Sequence, residues 1–157
     1  MILGIDPGLN GALAFYDGKE LLIYDVPTLA IERNGKNKRQ IDLHALLKIM
    51  RTHEVRHCYF ESVNAMPGQG VSSMFQMGRG FGQIEMAIAA LGIPVTYVSP
   101  MKWKKEMGVP KDKDGARQRA SQLMPQFAHN WDRKKDDGRA EAALIALYGF
   151  NQTGAQQ

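Results

Sequence analysis

Apolar residues fall in short continuous runs near the start of the chain and at spacings of three and four in the middle, so strands should give way to helices. Residues 1–5 form an apolar run that ends in Asp6-Pro7-Gly8, a turn sequence, and a second run covers 11–16. Asp17-Gly18 marks a hairpin turn into a third, 21–26. Three strands joined by tight turns predict an antiparallel meander. The polar, basic segment 32–40 reads as a loop, after which Asp42 caps a helix to Met50 with Leu43, Leu46, Leu47 and Met50 on one face. A buried strand over 57–60 delivers Glu61, and the Gly- and Pro-containing stretch 64–70 breaks the chain. From Met74 onward, Met77, Phe81, Ile84, Ile88 and Leu91 recur at helical spacing until Gly92. A strand over 93–98 follows, then a lysine-rich loop with Gly108 and Pro110, a helix from Asp114 or Gly115, and a last helix over 137–150.

This order predicts a mixed sheet with helices packed on its faces, an α/β fold. At 157 residues and 44% hydrophobic content the chain suits one domain over 1–150, with 151–157 as a frayed polar tail. No apolar run nears the roughly 20 residues of a membrane span, and the first residues lack the basic flank of a secretory signal, so a soluble, cytoplasmic protein is expected. The single cysteine, Cys58, lies in an apolar run and reads as a buried thiol. His44, His53, His57 and His129 show no metal-ligand spacing.

A net charge of +4 is compatible with a polyanionic partner without requiring one. Its distribution says more. Arg33, Lys36, Lys38 and Arg39 form one basic cluster, Lys102, Lys104, Lys105, Lys111 and Lys113 a second, and Arg133, Lys134 and Lys135 a third, each placed between apolar segments where loops are expected.

Asp6 closes the first strand, Glu61 closes the fourth, and Asp137 and Glu141 stand at i, i+4 on one face at the start of the last helix. Strand ends and helix starts of an α/β sheet meet in one crevice, where these acids can converge. Clustered carboxylates repel unless a divalent cation neutralises them, and oxygen ligands suit Mg²⁺. Two such ions about 3.5–4 Å apart can polarise a phosphodiester and activate water. Taken singly, each acid has a structural explanation: a turn residue at Asp6, a solvated strand end at Glu61, a helix cap at Asp136 and Asp137. Their joint placement after apolar strands favours a site.

The segments GIDPG (4–8), YFES (59–62) and DDGRAEAALIALYG (136–149) resemble, in order, the three acidic motifs of the RuvC family of Holliday-junction resolvases. MGRGFGQIEMAI (77–88) is similar to that family's long central helix, and SPMKWKKEMGVPKDKDGAR (99–117) to its basic DNA-contacting region. The resemblance implies an RNase H-like fold with a five-stranded mixed sheet, a carboxylate site for two Mg²⁺ or Mn²⁺ ions formed by Asp6, Glu61, Asp137 and Glu141, and a homodimer that cuts four-way junctions and other branched DNA. The D-G-R-A-E form of the last motif resembles phage members, which would place the protein in a bacterial host's cytoplasm. Many cellular members space the C-terminal acids three apart with aspartate second. Here the spacing is four and the second acid is Glu141, so Asp136 and Asp137 both stand as the third ligand.

Cellular members also carry an aromatic residue just after the glutamate, where this chain has Ser62. Met66 and Phe75 are the candidates for base stacking, with the core as their alternative. DNA phosphates are assigned to Lys102, Lys104, Lys105, Lys111, Lys113, Arg117, Lys36, Lys38 and Arg39, with Trp103 either stacking on bases or buried. Lys105, Lys111 and Lys113 are the candidates for offsetting transition-state charge. Two other readings compete: a catalytically silent module that binds branched DNA, and an actin-like or sugar-kinase nucleotide-binding domain, which shares a G-I-D-x-G opening but needs two domains. Retained buried acids argue against the first, and chain length against the second.

Overall fold

The computed structural model describes residues 1–154 except Asn34 and Met66, and also leaves the side chains of Arg33 and Lys36 undescribed. The central sheet has the order β3-β2-β1-β6-β7. Strands β1 (Ile2–Asp6), β2 (Ala12–Tyr16) and β3 (Leu21–Asp25) form the antiparallel meander, while β6 (His57–Glu61) runs parallel to β1 and β7 (Val95–Val98) parallel to β6. The sheet is therefore mixed, as the sequence predicts.

Strand alternation sends each central strand's side chains to two covered faces. Leu3, Ile5, Leu13, Phe15, Cys58 and Phe60 pack under α1 (Leu43–Thr52) and α2 (Val71–Ala90). Ile2, Ala12, Ala14, Tyr16 and Tyr59 pack against α5 (Asp137–Gly154), which is backed by α3 (Pro100–Glu106), α4 (Gly115–Leu123) and a 3₁₀ stretch, Pro125–Trp131. Because α5 is covered by the sheet on one side and by helices on the other, its small residues Ala140, Ala142, Ala143 and Ala146 are all buried. The approach is close: a Cβ at Gly4 would overlap the backbone of Ala142 and Ala146. Glycine on β1 thus lets α5 lie directly on the strand that ends in Asp6.

Several expected boundaries shift. Segment 32–40, read as a loop, is a hairpin of β4 (Thr28–Arg33) and β5 (Lys36–Ile41). The Asn34-Gly35 sequence was its available signal, but Leu29, Ala30, Glu32, Asn37, Lys38 and Arg39 are all exposed, so burial left no alternating pattern. The lysine-rich segment read as a loop contains α3, which opens with Ser99-Pro100 and turns Trp103 and Met107 inward, four residues apart. Helix α2 begins at Val71 rather than Met74, and α5 continues to Gly154 rather than ending at Phe150. Residues 155–157 lie outside the described chain. Asp42 caps α1, its carboxylate accepting from the Ala45 N–H at 3.0 Å.

Candidate active site

Gly4 and Asp6 share the α5 face of β1, and Tyr59 and Glu61 share that face of β6, because residues two apart on a strand point the same way. The parallel register pairs Ile5 with Phe60, so Asp6 and Glu61 emerge side by side at the carboxyl ends of adjacent strands. Helix α5, seated on Gly4, carries Glu141 to the same point. One carboxylate oxygen from each of Asp6, Glu61 and Glu141 lies within 4.8 Å of the others.

These acids are held by specific contacts. Glu61 is 8% exposed, and its Oε2 accepts a hydrogen bond from the Trp103 indole at 2.6 Å. Lys104 Nζ reaches Glu141 Oε1 at 2.7 Å. Burial raises the Asp6 carboxyl well above its ordinary value, and the charges of Glu141 and Glu61 add to this against the opposing effect of Lys104. Burial likewise raises Glu61, although the Trp103 N–H stabilises its charged form. For Lys104, burial works against the charge, but the hydrogen bond and charge of Glu141, with Glu61 and Asp6 behind it, prevail and raise the ammonium. Three close acids face one ammonium, so negative charge is left over. Hard oxygen donors with surplus negative charge fit a divalent cation such as Mg²⁺ or Mn²⁺.

Asp137 and Asp136 are placed elsewhere. Asp137 Oδ1 accepts from Arg117 Nε at 2.7 Å, and Arg117 also pairs with Asp114. Asp136, 5% exposed, is locked by Arg133 at 2.8 Å and accepts the Arg133 backbone N–H, capping the 3₁₀ turn Lys134–Asp136. Arg133 holds its carboxyl below the usual range. The position facing Asp6 is 138: a Cβ there would lie 3.0 Å from Asp6 Oδ2 and would overlap the carbonyl of Asn10. That residue is three before Glu141, the spacing the sequence resemblance assigns to the C-terminal acid pair, and here it is glycine because the β1–β2 turn leaves no room for a side chain.

The basic residues divide similarly. Lys104 stands at the carboxylates, and Lys111 and Lys113 line with it a groove of about 280 Å³ that also touches Asp137 and Glu141. Lys102 and Lys105 are exposed on α3 and do not line that groove. The lysine in contact with an acid of the site is thus Lys104, outside the expected set of Lys105, Lys111 and Lys113. Arg117, assigned to phosphates from the sequence, is ion-paired with Asp137 and Asp114. Arg39 is exposed and hydrogen-bonded to Asn10, and Lys38 is exposed on β5, while the Lys36 side chain lies outside the description. Trp103, with no exposed surface, is a core residue that positions Glu61 rather than a platform for bases. Phe75 is 64% exposed and so is not core, and Met66 lies outside the described residues. Cys58 is buried, its thiol pushed far up by desolvation. His53 bonds the Tyr24 hydroxyl and His57 the Thr96 hydroxyl, which leaves both in structural roles.

The chain superposes on a Thermus thermophilus RuvC bound to a Holliday junction substrate with a TM-score of 0.61, at 16% identity, over 98% of this chain and 95% of that one. The fold is RuvC-like. A second T. thermophilus RuvC structure gives a TM-score of 0.57 at 16% identity, covering 98% of this chain and 96% of the other. No protein-family model and no curated protein sequence matches the chain. The RuvC-like architecture is an RNase H-like mixed sheet with flanking helices, in agreement with the expected fold class. Among the described residues no helix is long and apolar enough to cross a membrane.

Proposed function

We propose that this chain is a divalent-metal-dependent endonuclease that cuts four-way junctions and other branched DNA. The observation that carries the reading is the convergence of Asp6, Glu61 and Glu141 at adjacent strand ends of a RuvC-like fold, with Lys104 against them. Asp6, Glu61 and Glu141 would hold Mg²⁺, or Mn²⁺ in its place, with Asp137 at the margin as a further acid. A bound divalent ion supplies Lewis acidity toward a phosphodiester and lowers the pKa of water. The residues around it have separable tasks. Trp103 orients Glu61, Lys104 orients Glu141 and supplies positive charge beside the reacting phosphate, and Lys111 and Lys113 attract the backbone along the adjoining groove.

Function as a homodimer is part of this reading, since paired sites can nick opposed strands of a junction. The exposed stripe of Val71, Phe75, Gly78, Gly82 and Met86 along α2 supports it: apolar side chains and bare glycines on one helix face suit close approach of a second copy. The reading includes action in a bacterial host's cytoplasm, supported by the likeness of the D-G-R-A-E motif to phage members.

The test is cleavage of labelled four-way junction, Y-fork and linear duplex in Mg²⁺ by the wild type, Asp6→Asn and Glu61→Gln. Paired junction nicks lost in both variants, with junction binding retained, are expected because the basic residues rather than the acids hold the phosphates. Metal-dependent cutting of forks alone would reassign the substrate, and binding without cleavage by the wild type would favour a silent DNA-binding module.

A further inference from the structure

A cleft of about 690 Å³ lies on the other side of the start of α5 from the Lys104–Lys111–Lys113 groove. Its walls are the β1–β2 turn at Leu9 and Asn10, the start of β4 at Thr28, and the 3₁₀ turn leading into α5. Asp137 borders both grooves, and the floor at Gly138 abuts Asp6. The carboxylate cluster therefore sits between two openings.

Charges within the cleft do not cancel. Its lining carries Asp25, Asp136 and Asp137, but each acid is already paired: Asp25 with Arg139 at 2.6 Å, Asp136 with Arg133, and Asp137 with Arg117. What remains is Lys134, Lys135 and Arg39, for which no carboxylate partner exists among the described residues. Both lysines are exposed. Arg39 is anchored over the turn by bonds to Asn10 Oδ1 at 2.9 Å, the Leu9 carbonyl at 2.5 Å and Thr28 Oγ1 at 3.3 Å, which fixes the guanidinium while leaving N–H donors for another acceptor. Three uncompensated cations in an open polar cleft beside an acidic cluster match a string of phosphates better than a small buried ligand.

We infer that Lys134, Lys135 and Arg39 form a second backbone-binding site, which holds DNA phosphates on the opposite side of the carboxylates from Lys111 and Lys113. The inference rests on the nuclease reading and extends it to the path of the strand: the backbone enters along one groove, crosses Asp6, Glu61 and Glu141, and leaves through the other. Positive charge on both flanks would hold the strand against the repulsion of the acids between them.

The experiment measures junction affinity of the full chain by fluorescence anisotropy in EDTA from low to high salt, for the wild type, Lys134→Ala/Lys135→Ala and Lys111→Ala/Lys113→Ala, with folding checked by circular dichroism. Each lost phosphate contact lowers the slope of log K against log salt by about one, so each double variant should lose about two. Adding Arg39→Ala to the Lys134/Lys135 variant should weaken binding further. A Lys134→Ala/Lys135→Ala variant with wild-type affinity and slope would overturn the second site while leaving the nuclease reading intact. Absence of any DNA binding by the wild type would overturn both.

Discussion

The indole N–H of Trp103, on α3, donates to the carboxylate of Glu61, at the end of β6, across 2.6 Å in a fully buried contact. The bond joins the segment after β7 to the acid of the neighbouring strand, so a core tryptophan sets the orientation of a candidate metal ligand. Trp103→Phe keeps an aromatic ring in the core and removes the donor, together with part of the buried indole. Glu61 would then lose the contact that favours its charged form, and its carboxyl would rise further. Mn²⁺ affinity measured by calorimetry near neutral pH should fall about tenfold, the lower end for losing a group that orients a metal ligand. Unchanged affinity would mean that the strand alone places Glu61.

Asp6 should make metal-free stability depend on pH. Its carboxyl titrates above the ordinary value in the fold, so the native state holds a proton that the unfolded chain has already released. Stability is therefore lost as pH climbs from the unfolded pKa through the folded one, and the deficit is complete above it. Asp6→Asn should melt with the wild type at about pH 4 in EDTA and above it at pH 8, by about 2–4 °C for each kcal/mol recovered. Saturating Mg²⁺ should narrow the gap by stabilising the wild type alone. A constant difference across pH would show that Asp6 is not strained by burial and its acidic neighbours.

Substitution separates the contributions of Glu141 and Asp137. Glu141 belongs to the cluster, whereas Asp137 is held by Arg117. Glu141→Gln should weaken Mn²⁺ binding by more than the ~10–100-fold typical of losing an outer partner. Asp137→Asn should change it little and cost at most about 1 kcal/mol from a partly exposed ion pair. The reverse ranking in calorimetry would transfer the role to Asp137.

Gly138→Ala tests the close approach of α5 to the β1–β2 turn. The added methyl would meet the Asn10 carbonyl and come within 3.0 Å of Asp6. Backbone cannot yield as a flexible side chain can, so the loss should reach about 1–3 kcal/mol in urea unfolding. A variant as stable as the wild type would show that the helix start shifts freely.

Much of this architecture is written in local pattern. The meander of β1 to β3, the buried β6 and the long α2 follow from apolar runs and helical spacing, since burial of one face or of a whole strand leaves its period in the chain. Asp6 and Glu61 stand out for the same reason, as acids that end apolar strands. The β4–β5 hairpin was hidden because its strands bury no continuous face, so polar and apolar residues, Leu29, Ala30 and Ile31 among them, follow no alternation, and α3 because its inward residues, Trp103 and Met107, cover a single turn among lysines.

The sequence by itself determined the sheet-forming segments, the family likeness and the two acids at strand ends, all properties of consecutive residues. Tertiary structure alone decided that Glu141 lies beside them while Asp137 pairs with Arg117, that Lys104 contacts Glu141, and that Trp103 faces Glu61. Those choices depend on how α3 and α5 seat against the sheet. The seating is set by contacts such as Gly4 against Ala142 and Gly138 against Asn10, between residues far apart in the chain, whose meeting no local pattern records.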